Sequence, residues 1–410
     1  MPKKIAVVGL GYVGLPLLLH SVTRGFECFG IDTNTSRVND LIDARSFTKD
    51  ISSNEIRDAL DLGLSLADNF DAIAKCEVIV VCVPTPLDDE NDRPNLSAVL
   101  SAMDQIARLI RPGALVILES TVAPGTTEGP VLSSFIANGK ELDKDFYLAY
   151  SPERINPGSS EYSFQQIPKI VSGCGNESLR RATDFYNVLV DKVVPVSGTR
   201  EAEFAKLLEN TYRLVNVSLA NELALAAYRM GIDFHEVTRA ASTKPYGFQP
   251  FFPSAGAGGH CIPVDPVYLA NEILLAAGGP TEVLDSAINV NRTVPNRIIE
   301  EVLAAEDPLE GKKVLVAGIA YKPGVADTRN SPALRIIEGL RMRDASVEVV
   351  DELVTELTVG SEIFRSIDLR THQSGFDLAL LMYPQSERTL HLIREKSSKV
   401  FISYSRFGEM

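Results

Sequence analysis

Apolar residues in the first part of the chain fall in short unbroken runs of the kind that fill a buried parallel sheet. The runs are KKIAVV at 3–8, FECFGID at 26–32, EVIVVCVP at 77–84, GALVILES at 113–120 and DFYLAYSP at 145–152. Between them apolar positions recur at helical spacing, as from Tyr12 to about Arg24 and in LSAVLSAMDQIARLI at 96–110. Strands alternating with helices predict an α/β domain built on a doubly wound parallel sheet, over residues 1–198. At Thr199 the pattern changes. The stretch TREAEFAKLLENTYRLVNVSLANELALAAYRMG carries no proline and no internal glycine, and it predicts one helix of about 30 residues ended by Gly231. A helix that long and apolar suggests a dimer core, so residues 199–305 are expected to form a central helical region. Shorter helices follow, interrupted by the Gly/Pro-rich stretch 244–266. From GKKVLVAGIAYKPG (311–324) the strand pattern returns, with a helix at 331–343, then ASVEVVD and FDLALLMYP. A second, smaller Rossmann-like α/β domain is therefore expected over 306–410. Its first loop lacks the three-glycine spacing, so no second dinucleotide is expected there.

Composition narrows the possible partners. With a formal net charge of −14, the chain lacks the basic face that sequence-independent nucleic-acid binding needs. No apolar run approaches the length of a membrane span. The N-terminal MPKKIAVVGLGYVG has two lysines before an apolar run, but glycines break the run and no small-residue cleavage site follows, so a cytoplasmic location is expected. The cysteines (Cys28, Cys76, Cys82, Cys174, Cys261) are odd in number and scattered, which argues against a disulfide framework.

The first loop, GLGYVG, places Gly9, Gly11 and Gly14 after a strand and before a helix, with Asp32 ending the next strand. That context turns a common glycine spacing into a dinucleotide site. The glycines permit the turn and let the backbone, with Tyr12 and Val13, approach a pyrophosphate at the helix N-terminus. Asp32 can accept from a ribose diol and would repel a 2′-phosphate, so NAD is expected rather than NADP, with Arg37 along the adenosine. Pro84 and Thr85 in VPTP, and Thr121 in ESTVAPGTT, follow strands at the carboxyl edge and are candidate nicotinamide-side contacts. An ordinary turn is the alternative for each.

Chemistry centres on AGAGGHCIPVDP, 255–266. Cys261 there sits in a segment too rich in glycine and proline for a buried structural cysteine. Beside a nicotinamide site, a thiolate that adds to an aldehyde gives a thiohemiacetal, and hydride loss then gives a thioester that water releases as a carboxylate. Lys206 and Asn210, spaced i, i+4, share a helix face and suit a centre where a hydroxyl is oxidised, although a solvated lysine would show the same spacing. His260 and Asp265 invite a metal, but the other histidines form no ligand spacing, so none is expected.

GLGYVGLP, ESTVAPGTT, SPERINPG, FAKLLENTYRLVN, GGHCIPVDP and YKPGVADTRNSPAL, in that order over about residues 3–335, resemble the UDP-sugar 6-dehydrogenases of the UDP-glucose/GDP-mannose dehydrogenase family. The resemblance implies an NAD-binding domain, a central dimerisation region and a C-terminal domain that binds the nucleotide sugar. It also implies a four-electron oxidation of the sugar C6 alcohol to a carboxylate by a homodimer. By motif it makes Cys261 the nucleophile, with Lys206 and Asn210 stabilising and orienting oxygen at C6. Glu153 becomes an acid/base with an ordered water, and Asp265 a support for that water or for the lysine. Thr121 joins the catalytic set. Arg154, Ile155, Arg213, Gly258, Tyr321 and Lys322 would line the sugar nucleotide. Arg329 would approach the active site on the cofactor side, with the partner subunit as one source. YSPERINPG followed by IPKIVSG is more similar to enzymes of UDP-N-acetylhexosamines than to those of UDP-glucose. UDP-N-acetylglucosamine is the first expectation, with UDP-N-acetylmannosamine, UDP-N-acetylgalactosamine and UDP-glucose as alternatives. A two-electron hydroxyacid-type dehydrogenase, or a non-catalytic sensor of NAD or sugar nucleotide, is a further alternative. The chain departs from the family pattern at PSAGAGG (253–259) and in a tail without the acidic D-x-R ending.

Overall fold

The computed structural model describes residues 3–48, 50–88, 92–156, 158, 161–402 and, for the backbone, 406–409. It divides into two compact units, residues 1–209 and 210–410.

In the first unit the apolar runs become strands β1 (Lys4–Val8), β2 (Glu27–Ile31), β3 (Ser65–Ala67), β4 (Val78–Val81), β5 (Ala114–Leu118), β6 (Phe146–Tyr150), β7 (Lys169–Gly173) and β8 (Val193–Pro195). They form one sheet in the order β3-β2-β1-β4-β5-β6-β7-β8. β1 to β6 are parallel, whereas β7 runs antiparallel to β6 and carries β8 beside it. The alternating pattern did not announce that reversal. A strand of KIVSG reads the same in either direction, and the connection from β6, residues 151–168, is long enough for both. Helices α1 (Gly14–Thr23), α2 (Thr35–Ile42), α3 (Ser53–Asp61), α4 (Ser97–Leu109), α5 (Leu132–Ala137) and α6 (Asn176–Leu189) cover the sheet. Two apolar cores result, one on each face: Ile5, Leu17, Leu18 and Phe185 belong to one, Ile79, Met103, Ile106 and Phe135 to the other.

Helix α7 (Thr199–Arg229) matches the long periodic stretch, and the boundary between the units falls within it. The second unit continues with α8 (Phe234–Ala241), α9 (Asp265–Ala277) and α10 (Glu282–Glu306). Helix α9 opens with Asp265 and Pro266, suited to a helix N-terminus, and ends at Gly278 in the left-handed conformation. Its sheet has the order β10-β9-β13-β14-β15, with β9 (Lys313–Ala317), β10 (Ser346–Val350), β13 (Phe376–Leu381), β14 (Ser397–Ile402) and β15 (Arg406–Glu409). A separate hairpin, β11 (Glu356–Val359) with β12 (Glu362–Arg365), was not legible in the sequence. Helices α11 (Pro332–Arg341) and α12 (Glu387–Lys396) complete the unit. Among the described residues no helix is long and apolar enough to cross a membrane.

Candidate active site

The glycine loop between β1 and α1 is built by close backbone approach. A Cβ on Gly14 would lie 1.9 Å from the Gly9 carbonyl oxygen and 3.1 Å from Val7, so only glycine lets α1 start against the loop. Asp32, at the end of β2, accepts from the Leu10 amide (2.9 Å) through one carboxylate oxygen and from the Asn34 amide (2.9 Å) through the other. Each oxygen keeps a further lone pair for a diol. Arg37 lies over the Phe47 ring, 4.5 Å from its centroid, and Tyr12 meets the same ring edge-on. Phe47 thereby joins Arg37 to Tyr12 of the glycine loop. At the carboxyl edge, the Ser120 hydroxyl donates to the Val83 carbonyl (2.7 Å) and ties the loop holding Thr121 to the loop holding Pro84 and Thr85. These residues fit a dinucleotide: a backbone cradle that a Cβ would fill, a helix N-terminus behind it, and an acidic side chain aimed along it.

The first unit also gathers Glu153, Arg154, Ile155 and Lys206. Lys206, buried on α7, donates to the Glu153 carbonyl oxygen at 2.6 Å. One Glu153 carboxylate oxygen accepts from the Arg154 and Ile155 amides, and the other faces Lys169 at 3.3 Å. Burial would push this carboxyl up. Lys169, the Ile155 amide, Lys206 and the Arg154 amide outweigh it and hold Glu153 below the usual carboxylate range. At neutral pH Glu153 is therefore ionised. Arg154 bonds Glu209 through two nitrogens (3.2 and 2.6 Å) and the Pro168 carbonyl through a third (2.7 Å). Its guanidinium is thus committed within the protein rather than extended toward a ligand.

Lys169, Glu119 and Tyr186 complete this cluster, and motif reading passed over all three. A signal was present: a lysine inside the apolar run IPKIVSG, and a glutamate closing a strand buried on both faces, each require a partner. Which partner depends on the β5-β6-β7 strand order, which the local sequence does not state.

In the second unit Cys261 precedes α9 by one turn, and its carbonyl accepts from the Val264 (3.1 Å) and Asp265 (2.8 Å) amides. All five cysteines are thiols rather than disulfides. Asp265 is buried and accepts from the Asn210 amide nitrogen. The glycine loop ahead of Cys261 is clamped from several sides. Asn221 accepts from the Ser254 amide (2.7 Å), and Asn291 both accepts from and donates to Ala257 (2.7 and 3.1 Å). The Gly259 amide donates to the Arg329 carbonyl (2.9 Å), and Asn330 donates to the Gly259 carbonyl (3.0 Å). A Cβ on Gly258 would stand 2.7 Å from the Asn330 carbonyl and 2.9 Å from Tyr321. Gly258, Tyr321 and Arg329 are therefore neighbours of the Cys261 loop within one chain. The exposed Arg329 guanidinium pairs with Asp327 and contacts His260 Nδ1 at 3.2 Å. Lys322 follows Tyr321 with its ammonium 5.8 Å from that ring, and Arg213 lies exposed on α7. Among the described residues no group of three or more His, Cys, Asp or Glu could hold a metal ion.

Comparisons with known proteins cover most of the chain. Residues 3–190 match the NAD binding domain of the UDP-glucose/GDP-mannose dehydrogenase family, 200–293 its central domain and 315–396 its UDP binding domain. The chain belongs to the UDP-glucose/GDP-mannose dehydrogenase family. It is 38% identical to Protein CapL of Staphylococcus aureus over 86% of this chain and 82% of that one. It is 36% identical to a UDP-N-acetyl-D-glucosamine 6-dehydrogenase of Pseudomonas aeruginosa, over 86% of this chain and 83% of that one. The solved structure of a UDP-D-ManNAc dehydrogenase from Pyrococcus horikoshii superposes with a TM-score of 0.87 at 30% identity, covering 98% and 95% of the two chains. As a member of this dehydrogenase family the protein is an NAD-dependent oxidoreductase of UDP-sugars, and the glycine loop of β1 and α1 lies within its NAD binding domain.

In this dehydrogenase Asp32 holds the Leu10 and Asn34 amides, and the sequence expectation adds a contact to the ribose. Asp32→Ala is expected to raise the Kd for NAD by about tenfold or more, as for a lost hydrogen bond to a charged group. It should also narrow the preference over NADP, measured by fluorescence titration with both nucleotides. Unchanged NAD affinity would refute the ribose assignment.

Proposed function

We propose that this enzyme oxidises the C6 hydroxyl of a UDP-N-acetylhexosamine, UDP-N-acetylglucosamine first, to the uronic acid through a thioester on Cys261. The supporting observation is the Cys261 loop: a thiol on a clamped glycine turn, followed by a buried Asp265 paired with Asn210. A two-electron dehydrogenase or a sensor has no use for such a thiol. NAD+, when bound, supplies the hydride acceptor for both oxidations.

In the first oxidation the alcohol loses a hydride and a proton to give the aldehyde, with Lys206 countering negative charge on oxygen and Asn210 orienting it. The Cys261 thiolate then bonds to the aldehyde carbon, and the resulting thiohemiacetal loses a hydride and a proton to become the thioester. Glu153, ionised, takes a proton from water as its oxygen bonds to the thioester carbon. The carbon–sulfur bond breaks and returns the electron pair to Cys261. Asp265 holds Asn210. Thr121, on the loop after β5, serves the nicotinamide side with Pro84 and Thr85. Ile155, Arg213, Gly258, Tyr321 and Lys322 line the sugar nucleotide. Arg154 acts on substrate only by exchanging its bonds to Glu209, and Arg329 joins from the chain that carries the Cys261 loop.

The sequence similarity to the Pseudomonas aeruginosa enzyme supports the gluco epimer. The structural likeness to the Pyrococcus horikoshii enzyme keeps the manno epimer as a second reading. Exposed Phe204, Leu208, Leu219 and Leu223 on α7 support a homodimer formed along that helix. Five thiols without a disulfide suit the reducing cytoplasm.

NADH yield at 340 nm with each UDP-sugar limiting, run in parallel for the N-acetylglucosamine, N-acetylmannosamine, N-acetylgalactosamine and glucose forms, tests the proposal. Two NADH per UDP-N-acetylglucosamine are expected. Two from another sugar would change the epimer, and one NADH would refute the thioester.

A further inference from the structure

Behind Glu153 lies a buried charge cluster that the reaction above does not use. Lys169 Nζ, at the start of β7, stands 3.0 Å from a Glu119 oxygen at the end of β5 and 3.3 Å from a Glu153 oxygen after β6. The three side chains are 4%, 0% and 10% exposed. The Tyr186 hydroxyl of α6 donates to the same Glu119 oxygen, and its ring lies 5.3 Å from the ammonium. Glu119 Oε2 is buried without a hydrogen-bond partner. Two carboxyl groups thus share one ammonium in a buried site. Removing ions from water is costly, and apolar residues of similar volume would stabilise such a core at least as well. The cluster sits at the carboxyl edge of the sheet, directly against Glu153. That placement favours a role in the chemistry over one in stability.

We propose that Lys169, braced by Glu119, is the positioning residue for the Glu153 base. It fixes the Glu153 oxygen that the Arg154 and Ile155 amides do not hold and balances its charge, while Glu119 and Tyr186 hold the ammonium in place. The inference rests on the reading of Glu153 as the base that activates water. The charged and titratable groups around Glu153 are Lys169 on β7, Glu119 after β5, Lys206 on α7, Cys82 after β4 and Tyr186 on α6. Burial, with Glu153 opposing Lys169, pushes Glu119 up to about 7, so this carboxyl, not Glu153, absorbs the excess negative charge.

Three full-length variants test the arrangement: Lys169→Met, Glu119→Gln and Glu153→Gln. Each is assayed for kcat and KM between about pH 5.5 and pH 9, with NAD binding titrated separately. In Lys169→Met, Glu153 loses its cation in a buried site, so its carboxyl should rise. The ratio of variant to wild-type kcat should then fall about tenfold or more from high to low pH, with KM and NAD affinity changed by less than about threefold. Adding Glu119→Gln to that variant should leave the low-pH loss in place, because Glu119, pushed up to about 7, is already protonated there. If Lys169→Met does not fold, the doubly neutral pair still reports. Its kcat should then fall toward low pH relative to Glu119→Gln alone, and parallel profiles overturn the proposal. If Glu153→Gln is inactive while Lys169→Met follows the wild-type pH profile, Lys169 is a structural ion and the proposal fails. If Glu153→Gln turns over at the wild-type rate, it is the reading of Glu153 as base that fails.

Discussion

Cys261→Ser is expected to lower turnover by about a thousandfold or more, because a neutral hydroxyl is a far weaker nucleophile than a thiolate and an ester a poorer acyl donor than a thioester. The substitution is nearly isosteric. The turn itself is held by the Cys261 carbonyl, which accepts from the Val264 and Asp265 amides, so the loop should keep its shape. NAD affinity should stay within about twofold, since the cofactor loop belongs to the first unit and Cys261 to the second. Stopped-flow absorbance at 340 nm with a nucleotide titration alongside separates the two effects. Wild-type turnover by the serine variant would end the thioester mechanism, whereas loss of NAD binding would mean that Cys261 is not confined to the sugar chemistry.

Gly14→Ala should be nearly as damaging, for a different reason. The added methyl would sit 1.9 Å from the Gly9 carbonyl oxygen, a backbone atom with no side-chain freedom to yield. The first turn of α1 must move, and with it the amides that would face a pyrophosphate. We expect NAD affinity to drop by about 100-fold and stability by about 1–3 kcal/mol, in the range of overpacked cores. Isothermal calorimetry and thermal melts check the two parts. Wild-type NAD affinity in a folded Gly14→Ala would remove the glycine loop from the cofactor site.

What the sequence could say about this molecule follows the range of the interactions involved. Strands β1, β2, β4, β5 and β6, helices α1, α4 and α7, and the tight helix–loop approach at Gly14 are local. They follow from apolar runs, helical spacing and steric demand within a few residues. Lys206 and Asn210 share a helix face by spacing alone. The partners of those residues are another matter. Glu119 and Lys169 meet across the β5-β6-β7 arrangement, and the reversed β7 that brings Lys169 there cannot be read from KIVSG. Asn221 and Asn291 looked like ordinary polar positions on helices, yet they hold the Ser254 and Ala257 amides and so shape the approach to Cys261. Arg154 stands out in the SPER motif, but its engagement by Glu209 does not, since carboxylate and guanidinium come from segments 55 positions apart.

The hydrogen bonds made by Asp32 have a practical meaning for anyone wishing to convert this enzyme to NADP. The usual exchange removes the acidic side chain and introduces a cation for the 2′-phosphate. Here the same carboxylate is also the peg on which the Leu10 and Asn34 amides hang, so its removal loosens the loop that must receive either nucleotide. A successful conversion needs a short oxygen acceptor at position 32, such as serine, to keep the loop in place. The new charge then belongs elsewhere, and Arg37, already stacked on Phe47 beside the loop, is a cation in a suitable place.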